Sequence, residues 1–238
     1  MNTLPSKTTD LPPAMNGINL ALLIGASVAG ALLAIFILPA WLPGLKYSLD
    51  GVAPKAYWYM ARASAMVAYA LVWISMVLGV MMTNKLARIW PGGPVAYDLH
   101  QYASLLGLAF GLFHGLILLG DHFIGYSLAQ VLVPFAGETY RPQWVGLGQV
   151  SFYLLAIVSL SFYIRRLIGP RQWRLIHILS FAAFFLALIH GIFTGADSGI
   201  AAIRWLYWTT GGSLLFLTLY RILVTAFPPT RSLDKIRA

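Results

Sequence analysis

Long apolar runs alternate with short polar segments along nearly the whole chain. The six runs cover residues 18–43, 56–84, 99–120, 143–164, 175–196 and 199–227. Each run is long enough to cross a hydrocarbon core about 30 Å thick as a helix. The pattern predicts an all-α integral membrane protein, folded as a six-helix transmembrane bundle.

The segments outside these runs are too short for a second domain. We interpret residues 1–17 and 228–238 as cytoplasmic tails of one transmembrane domain at 18–227. The first run exceeds the apolar part of a signal peptide, which predicts a helix that is retained. Between the third and fourth runs, IGYSLAQVLVPF is apolar but short, which indicates an interfacial or re-entrant segment.

Composition supports a membrane location and excludes several kinds of site. The chain is 59% hydrophobic and only 10% charged, whereas soluble domains carry roughly 25% charged residues. It contains no cysteine, so thiolate metal sites, iron–sulfur clusters and covalently attached haem are excluded. We attribute the net charge of +9 to helix ends at the cytoplasmic face and expect no nucleic-acid binding.

Lysine and arginine are distributed unevenly over the two sides of the predicted bundle. Eleven of the sixteen fall on the side of the termini and five on the other. The positive-inside rule therefore predicts that both termini are cytoplasmic. The third and fifth helices then run parallel, from the inner to the outer face. Trp173, at the inner end of the fifth helix, is interpreted as an interfacial anchor.

Four histidines lie at matched depths in these two parallel helices. His100 and His114 are 14 residues apart in the third helix, and His177 and His190 are 13 apart in the fifth. Each interval spans roughly 20 Å of helix. We therefore expect His100 to meet His177 near the inner face and His114 to meet His190 near the outer face. Facing imidazoles suit the axial positions of haem iron, which predicts two b-type haems.

Other residues are candidates for the surroundings of these haems. Gly107 and Gly111 lie on the histidine face of the third helix, where they either leave room for a macrocycle or form a ridge for helix packing. Phe184 is predicted at mid-depth, either as a ring between the haems or as a packing aromatic. His190 stands about 140° from His177 around an ideal helix, and a distortion, a tilt or a shifted haem plane has to absorb this angle.

Arginines near the helix ends are candidates for pairing with haem propionates. Arg62 and Arg204 lie near the outer ends of the second and sixth helices, and Arg174 precedes the inner histidine of the fifth. Cations at membrane depth usually have anionic partners. Snorkelling to the headgroups is the alternative for the outer two, and the positive-inside distribution is the alternative for Arg174. His122 is interpreted as a surface residue, with a substrate or metal contact as the alternative.

The two histidine segments resemble the ferric-reductase-like transmembrane domain, the haem-bearing core of ferric reductases and NADPH oxidases. The likeness rests on LHQYASLLGLAFGLFHGLILLGD and RQWRLIHILSFAAFFLALIHGIFTGADS, with MARASAMVAYAL in the second helix, and covers about residues 55–225. It implies two haem b groups and a bacterial inner membrane. A second similar protein is the haem-binding membrane subunit of the bacterial periplasmic methionine sulfoxide reductase system.

The full oxidases also carry a cytoplasmic flavin and nicotinamide domain, which we do not expect here. Only about ten residues follow Pro228-Pro229, and no glycine-rich dinucleotide motif is found. The resemblance therefore implies a separate electron donor, either a flavoprotein reductase or a membrane quinol. It also implies a separate acceptor or redox partner protein.

Three functions stay open on the sequence. The preferred one is a di-haem cytochrome b that moves single electrons across the membrane as a subunit of an oxidoreductase system. The second is a self-contained terminal reductase of ferric iron or oxygen, fed by a separate flavoprotein. The third is a non-redox transporter or assembly factor.

Overall fold

The computed structural model describes residues 12–50 and 55–226 as a bundle of six long helices. They are α1 (Gly17–Phe36), α2 (Ala56–Thr83), α3 (Gly93–Ile117), α4 (Pro142–Ser161), α5 (Arg165–Thr194) and α6 (Ala201–Ala226). All six are long and apolar enough to cross a membrane, and the described residues contain no β-strand. The predicted number of spans is confirmed, and the chain is a multi-pass membrane protein. Most of the predicted N-terminal tail and the whole C-terminal tail lie outside the described residues.

The observed helices differ most from the apolar runs at the inner end of α5. The apolar run begins at residue 175, but α5 begins ten residues earlier, at Arg165. The additional residues are largely polar, so the apolar pattern did not include them. Gly169 leaves the helical region with φ 82° and ψ 160°, a conformation that strains any residue with a Cβ. Pro170 then starts the second part, since the first residue of a helix has no need of an N–H.

The helices pack as two close pairs. α2 lies along α3, and α4 lies along α5, while α1 flanks α3 on the outside. α2 also contacts α5 and α6, and α4 contacts α3. The backbones of α3 and α5 hardly approach each other. These two helices therefore stand diagonally across the bundle, with a gap between them that side chains fill.

Clusters of buried apolar side chains hold this arrangement together. The larger cluster joins α2, α5 and α6 and consists of Tyr69, Val72, Met76, Val80, Phe184, Tyr207 and Leu214. The second cluster lies toward the other end of α2, where Tyr57 is buried beside Gly120. The Tyr57 hydroxyl donates to the carbonyl oxygens of Ala34 and Ile35, each at 3.3 Å. This contact ties the end of α1 to the start of α2.

The segment predicted to be interfacial or re-entrant forms a short helix, Leu128–Leu132, docked on α4. Ser127 begins it with a capping box, in which Ser127 and Gln130 exchange side-chain and backbone hydrogen bonds. The Gln149 side chain donates to the carbonyl oxygens of Gln130 and Val131 at 2.7 and 2.8 Å. Its depth in a membrane stays a prediction.

The sidedness of the bundle is testable with single cysteines, because the chain has none of its own. Ile89, between α2 and α3, and Phe123, between α3 and α4, are 85% and 82% exposed. We expect a membrane-impermeant maleimide to label Phe123→Cys in intact cells and Ile89→Cys only after permeabilisation. The reverse pattern would contradict the predicted orientation, and labelling of both from one side would contradict six spans.

Candidate cofactor site between α3 and α5

Two pairs of imidazole rings face each other across the gap between α3 and α5. The ring centroids of His100 and His177 are 6.0 Å apart with the planes inclined at 68°, and those of His114 and His190 are 6.2 Å apart at 69°. The predicted proximity within each pair is confirmed. Binding of haem by these rings stays a prediction.

α5 carries both of its histidines to the gap on one continuous helical stretch. Its only residue with non-helical dihedral angles is Gly169, which precedes His177. The side chains therefore leave the helix in different directions, as the angle of about 140° requires. His190 leans on α4, where its Nδ1 meets the carbonyl oxygen of Trp144 at 2.9 Å. His177 leans on Trp173 of its own helix, with the ring centroids 5.1 Å apart and the planes inclined at 29°.

The neighbouring helices fix the orientation of three of the four rings. The Nδ1 atoms of His100 and His114 each lie 2.8 Å from a carbonyl oxygen of α2, those of Ser75 and Ala61 respectively, and His190 makes the corresponding contact to α4. A carbonyl oxygen only accepts, so each of these Nδ1 atoms carries the proton. The Nε2 atoms then hold a free lone pair, the form in which histidine binds a metal.

The inner pair has additional polar contacts. The Ser75 hydroxyl lies 2.9 Å from His100 Nδ1 and 2.6 Å from the hydroxyl of Ser104, which in turn donates to the His100 carbonyl at 2.8 Å. No hydrogen bond to the His177 ring is found within the described parts of the chain. Trp173 stacking is therefore its main support.

Two glycines on the flanking helices make room for the rings. A Cβ atom on Gly79 of α2 would lie 3.2 Å from His100 Cε1, and one on Gly148 of α4 would overlap the His190 ring. Sequence reasoning missed both, because nothing in α2 or α4 marks them as neighbours of a histidine. The sequence feature that could have indicated Gly79 and Gly148 is a glycine within an apolar run.

A cavity of about 260 Å³ surrounds the outer histidine pair. It extends from Arg62 and Asp197 to Gly107 and Val72, and its lining is mostly apolar. Gly111 lines it as well. Gly107 faces the cavity, and a Cβ there would lie 3.0 Å from the Val72 side chain, which agrees with close helix packing. Room for a macrocycle stays a prediction.

Arg62 closes one end of this cavity together with an acidic residue. Its guanidinium forms an ion pair with Asp197, from the connection between α5 and α6. The side chains are 29% and 24% exposed. The Nε atom of Arg62 is buried and has no hydrogen-bond partner among the described residues. One donor of this cation therefore has no acceptor among residues 12–50 and 55–226.

The structure does not bring every predicted residue to the cavity. Arg204 and Arg174 are exposed, and neither lines the cavity, so their pairing with propionates stays a prediction. Phe184 is fully buried in the α2–α5–α6 core. Its ring stacks on that of Tyr69 at 5.8 Å, and Tyr69 itself lines the cavity. Tyr69 is thus an aromatic neighbour of the site that sequence reasoning missed. His122 is exposed, 3.7 Å from an Asp50 oxygen.

Each histidine pair supplies two ligands and no third. Within residues 12–50 and 55–226, no group of three or more His, Asp or Glu side chains is arranged to hold a metal ion. The pairs therefore suit a metal that already has most of its ligands from a cofactor. They suit a bare ion less well.

Comparisons of the chain with protein-family models, curated proteins and solved structures give no match. The resemblance to the ferric-reductase-like domain thus rests on the histidine segments themselves and stays a prediction.

Proposed function

We propose that the chain is a membrane cytochrome b that binds two haem b groups and passes single electrons between the two faces of the membrane. The observation that carries the proposal is the spacing of the facing rings, 6.0 and 6.2 Å. A histidine nitrogen lies about 2 Å from a bound metal such as zinc, and the ring centroid about 1 Å further. Two imidazoles on opposite sides of one metal ion therefore have centroids about 6 Å apart.

The surrounding residues fit haem in three further respects. The Nδ1 hydrogen bonds leave Nε2 free in His100, His114 and His190. A porphyrin supplies four nitrogens to its iron, so two protein ligands suffice. The outer cavity is apolar along its walls and has the unpaired Arg62 Nε at one end. This donor suits a propionate, the anionic group at the periphery of haem b.

The chain's own residues would hold and tune the cofactors. Bound haem iron would supply one-electron chemistry by alternating between the ferric and ferrous states. Histidines from α3 and α5 would hold each haem, and the apolar walls would keep water from the site. The charge of Arg62 and the hydrogen bond of the Ser75 hydroxyl would tune the haem potentials. Nothing in this arrangement requires an acid–base residue.

The same function implies partners on both sides of the membrane. We propose a separate flavoprotein reductase or a quinol as the donor, and a separate acceptor or redox partner protein. Lipid would surround the bundle in a bacterial inner membrane, with both termini in the cytoplasm. Arg166, Arg171 and Arg174 are exposed together at the start of α5, which agrees with a cytoplasmic location of that end.

The haem content and the pairing can be tested together. We expect close to two haems per purified chain by pyridine haemochrome analysis. His114→Ala and His190→Ala should each remove the same haem, and His100→Ala and His177→Ala should each remove the other. Each loss should be at least tenfold in occupancy, because each variant lacks one of the two histidines that would hold that haem.

Two outcomes would contradict the proposal. A folded but colourless preparation would favour the non-redox transporter or assembly factor. Loss of the same spectral component in His100→Ala and His190→Ala would show that the rings facing each other are not the ones that share an iron. His122→Ala is the matched control, because His122 is exposed and lies away from both pairs.

Gly148 provides a test that leaves every proposed ligand in place. A Cβ atom there would overlap the His190 ring, so Gly148→Ala should displace that ring from Trp144 and lower outer haem occupancy about tenfold. Gly212→Ala is the control, since nothing lies within 4 Å of a Cβ at that position. Helical glycine to alanine otherwise stabilises by about 0.5–1 kcal/mol. Equal haem content in the two variants would remove Gly148 from the site.

A second function, terminal reduction of ferric iron or oxygen at the outer face, is favoured by one observation. The cavity around His114 and His190 reaches the Arg62–Asp197 ion pair, where an acceptor would approach. If this function is correct, dithionite-reduced protein should be reoxidised by ferric citrate or oxygen within seconds, and Asp197→Asn should change that rate at least threefold. Reoxidation that needs an added partner protein would support the subunit function instead. Stopped-flow absorbance in the haem bands measures both.

A further inference from the structure

Trp173 supports His177 of the inner histidine pair. It lies one turn before His177, about 6 Å nearer the inner end of α5. Its ring stacks on His177 and meets Phe162 edge-on, with centroids 6.3 Å apart. The helix restart after Gly169 sets this position, because Pro170 begins the part of α5 that carries both residues.

The indole N–H of Trp173 is buried without a partner. Its Nε1 has almost no accessible surface and meets no hydrogen-bond acceptor among the described residues. An interfacial tryptophan would turn this N–H toward water or headgroups, whereas here protein atoms cover it. The predicted role as an interfacial anchor therefore does not account for its position. A buried donor without an acceptor is destabilising, so a ligand acceptor is the simplest explanation.

The outer pair shows the same feature at the opposite end of the bundle. There the unpaired buried donor is Arg62 Nε, at the end of the cavity that holds His114 and His190. Within the part of the chain that the structure describes, a buried N–H without a hydrogen-bond partner thus lies one turn before His177, and another lies at the end of the cavity that holds the outer pair. Two b-type haems would each place carboxylate groups at one edge, and one acceptor of this kind beside each pair would satisfy both donors.

We propose that Trp173 is a binding residue of the inner haem and that its Nε1–H donates to a haem propionate. This inference rests on the proposed function. It assigns to Trp173 the role that sequence reasoning considered for Arg174, whose side chain is exposed. Tryptophan serves as a neutral donor there, so the inner propionate would keep its negative charge close to the iron.

The test compares Trp173→Phe with Trp205→Phe in the full chain. Phenylalanine keeps an aromatic ring against His177 but removes the N–H. Trp205 is the control because it is 69% exposed on α6. We expect Trp173→Phe to raise the release rate of the inner haem to an acceptor protein about tenfold, the factor for one hydrogen bond to a charged group. Its midpoint potential should fall, because the propionate charge is then less compensated. The outer haem should be unchanged.

A second arm replaces haem with its dimethyl ester, which has no propionate charge. In the unchanged chain, the ester should leave the inner site faster than haem does, and Trp173→Phe should add less than a twofold change with the ester. Equal release of ester and haem from the unchanged chain would overturn the inference, even if the variant failed to fold.

The remaining outcomes distinguish a failure of this inference from a failure of the proposed function. A tenfold effect of Trp173→Phe with haem and ester alike would show a packing role and overturn the hydrogen bond. Two haems per chain with no effect of Trp173→Phe would overturn the inference and leave the proposed function standing. A chain that takes up no haem would overturn both.

Discussion

The bundle depends on hydrogen bonds from histidine Nδ1 atoms to backbone carbonyls of neighbouring helices. An imidazole inside an apolar bundle is costly unless its N–H is satisfied, and the carbonyls of Ser75, Ala61 and Trp144 satisfy three of the four. A helical carbonyl has a second lone pair for such a bond. These contacts lie within the two closest helix pairs, α2 with α3 and α4 with α5. They join each pair and direct the opposite edge of each ring into the gap.

Small residues decide how closely the helices approach around these rings. Gly79 and Gly148 give His100 and His190 room against the flanking helices, and Gly107 lets α2 pack against α3. Larger side chains at these positions would force the rings out of the gap or push the helices apart. The distance between α3 and α5 therefore depends on two features, the glycines on the packed helices and the histidine rings in the gap. The glycines allow the flanking helices to pack closely, and the histidine rings extend across the gap between α3 and α5.

The two histidine pairs have different surroundings, which bears on the proposed electron path. The outer pair opens into an apolar cavity that ends at a charged pair, Arg62 and Asp197. The inner pair is supported by hydroxyls at His100 and by a stacked indole at His177. Under the proposed function, these differences would give the two haems different potentials, since charge and hydrogen bonding near a haem tune it. Tyr69, stacked on Phe184, adds an aromatic contact beside the outer cavity.

Exposed apolar residues cover the remaining surface, as expected for a chain surrounded by lipid. On α6, Trp205 and Trp208 are 69% and 75% exposed. α1 is peripheral and buries few of its own side chains. The stability of the bundle in a membrane therefore rests on close packing among α2 to α6 rather than on a large buried core, because lipid is as apolar as these side chains.

Much of this organisation was readable from the sequence, because lipid imposes simple rules on a chain. Six apolar runs determined six helices, and the 14- and 13-residue intervals between histidines determined which rings share a depth. The proximity of His100 to His177 and of His114 to His190 followed from these intervals together with the parallel direction of the two helices. What the tertiary structure decided lies on the flanking helices. Gly148 beside His190, the carbonyls that orient the rings, and Asp197 on Arg62 are contacts between residues distant in sequence. No periodicity encodes them, since they depend on how two helices pack rather than on what either helix contains.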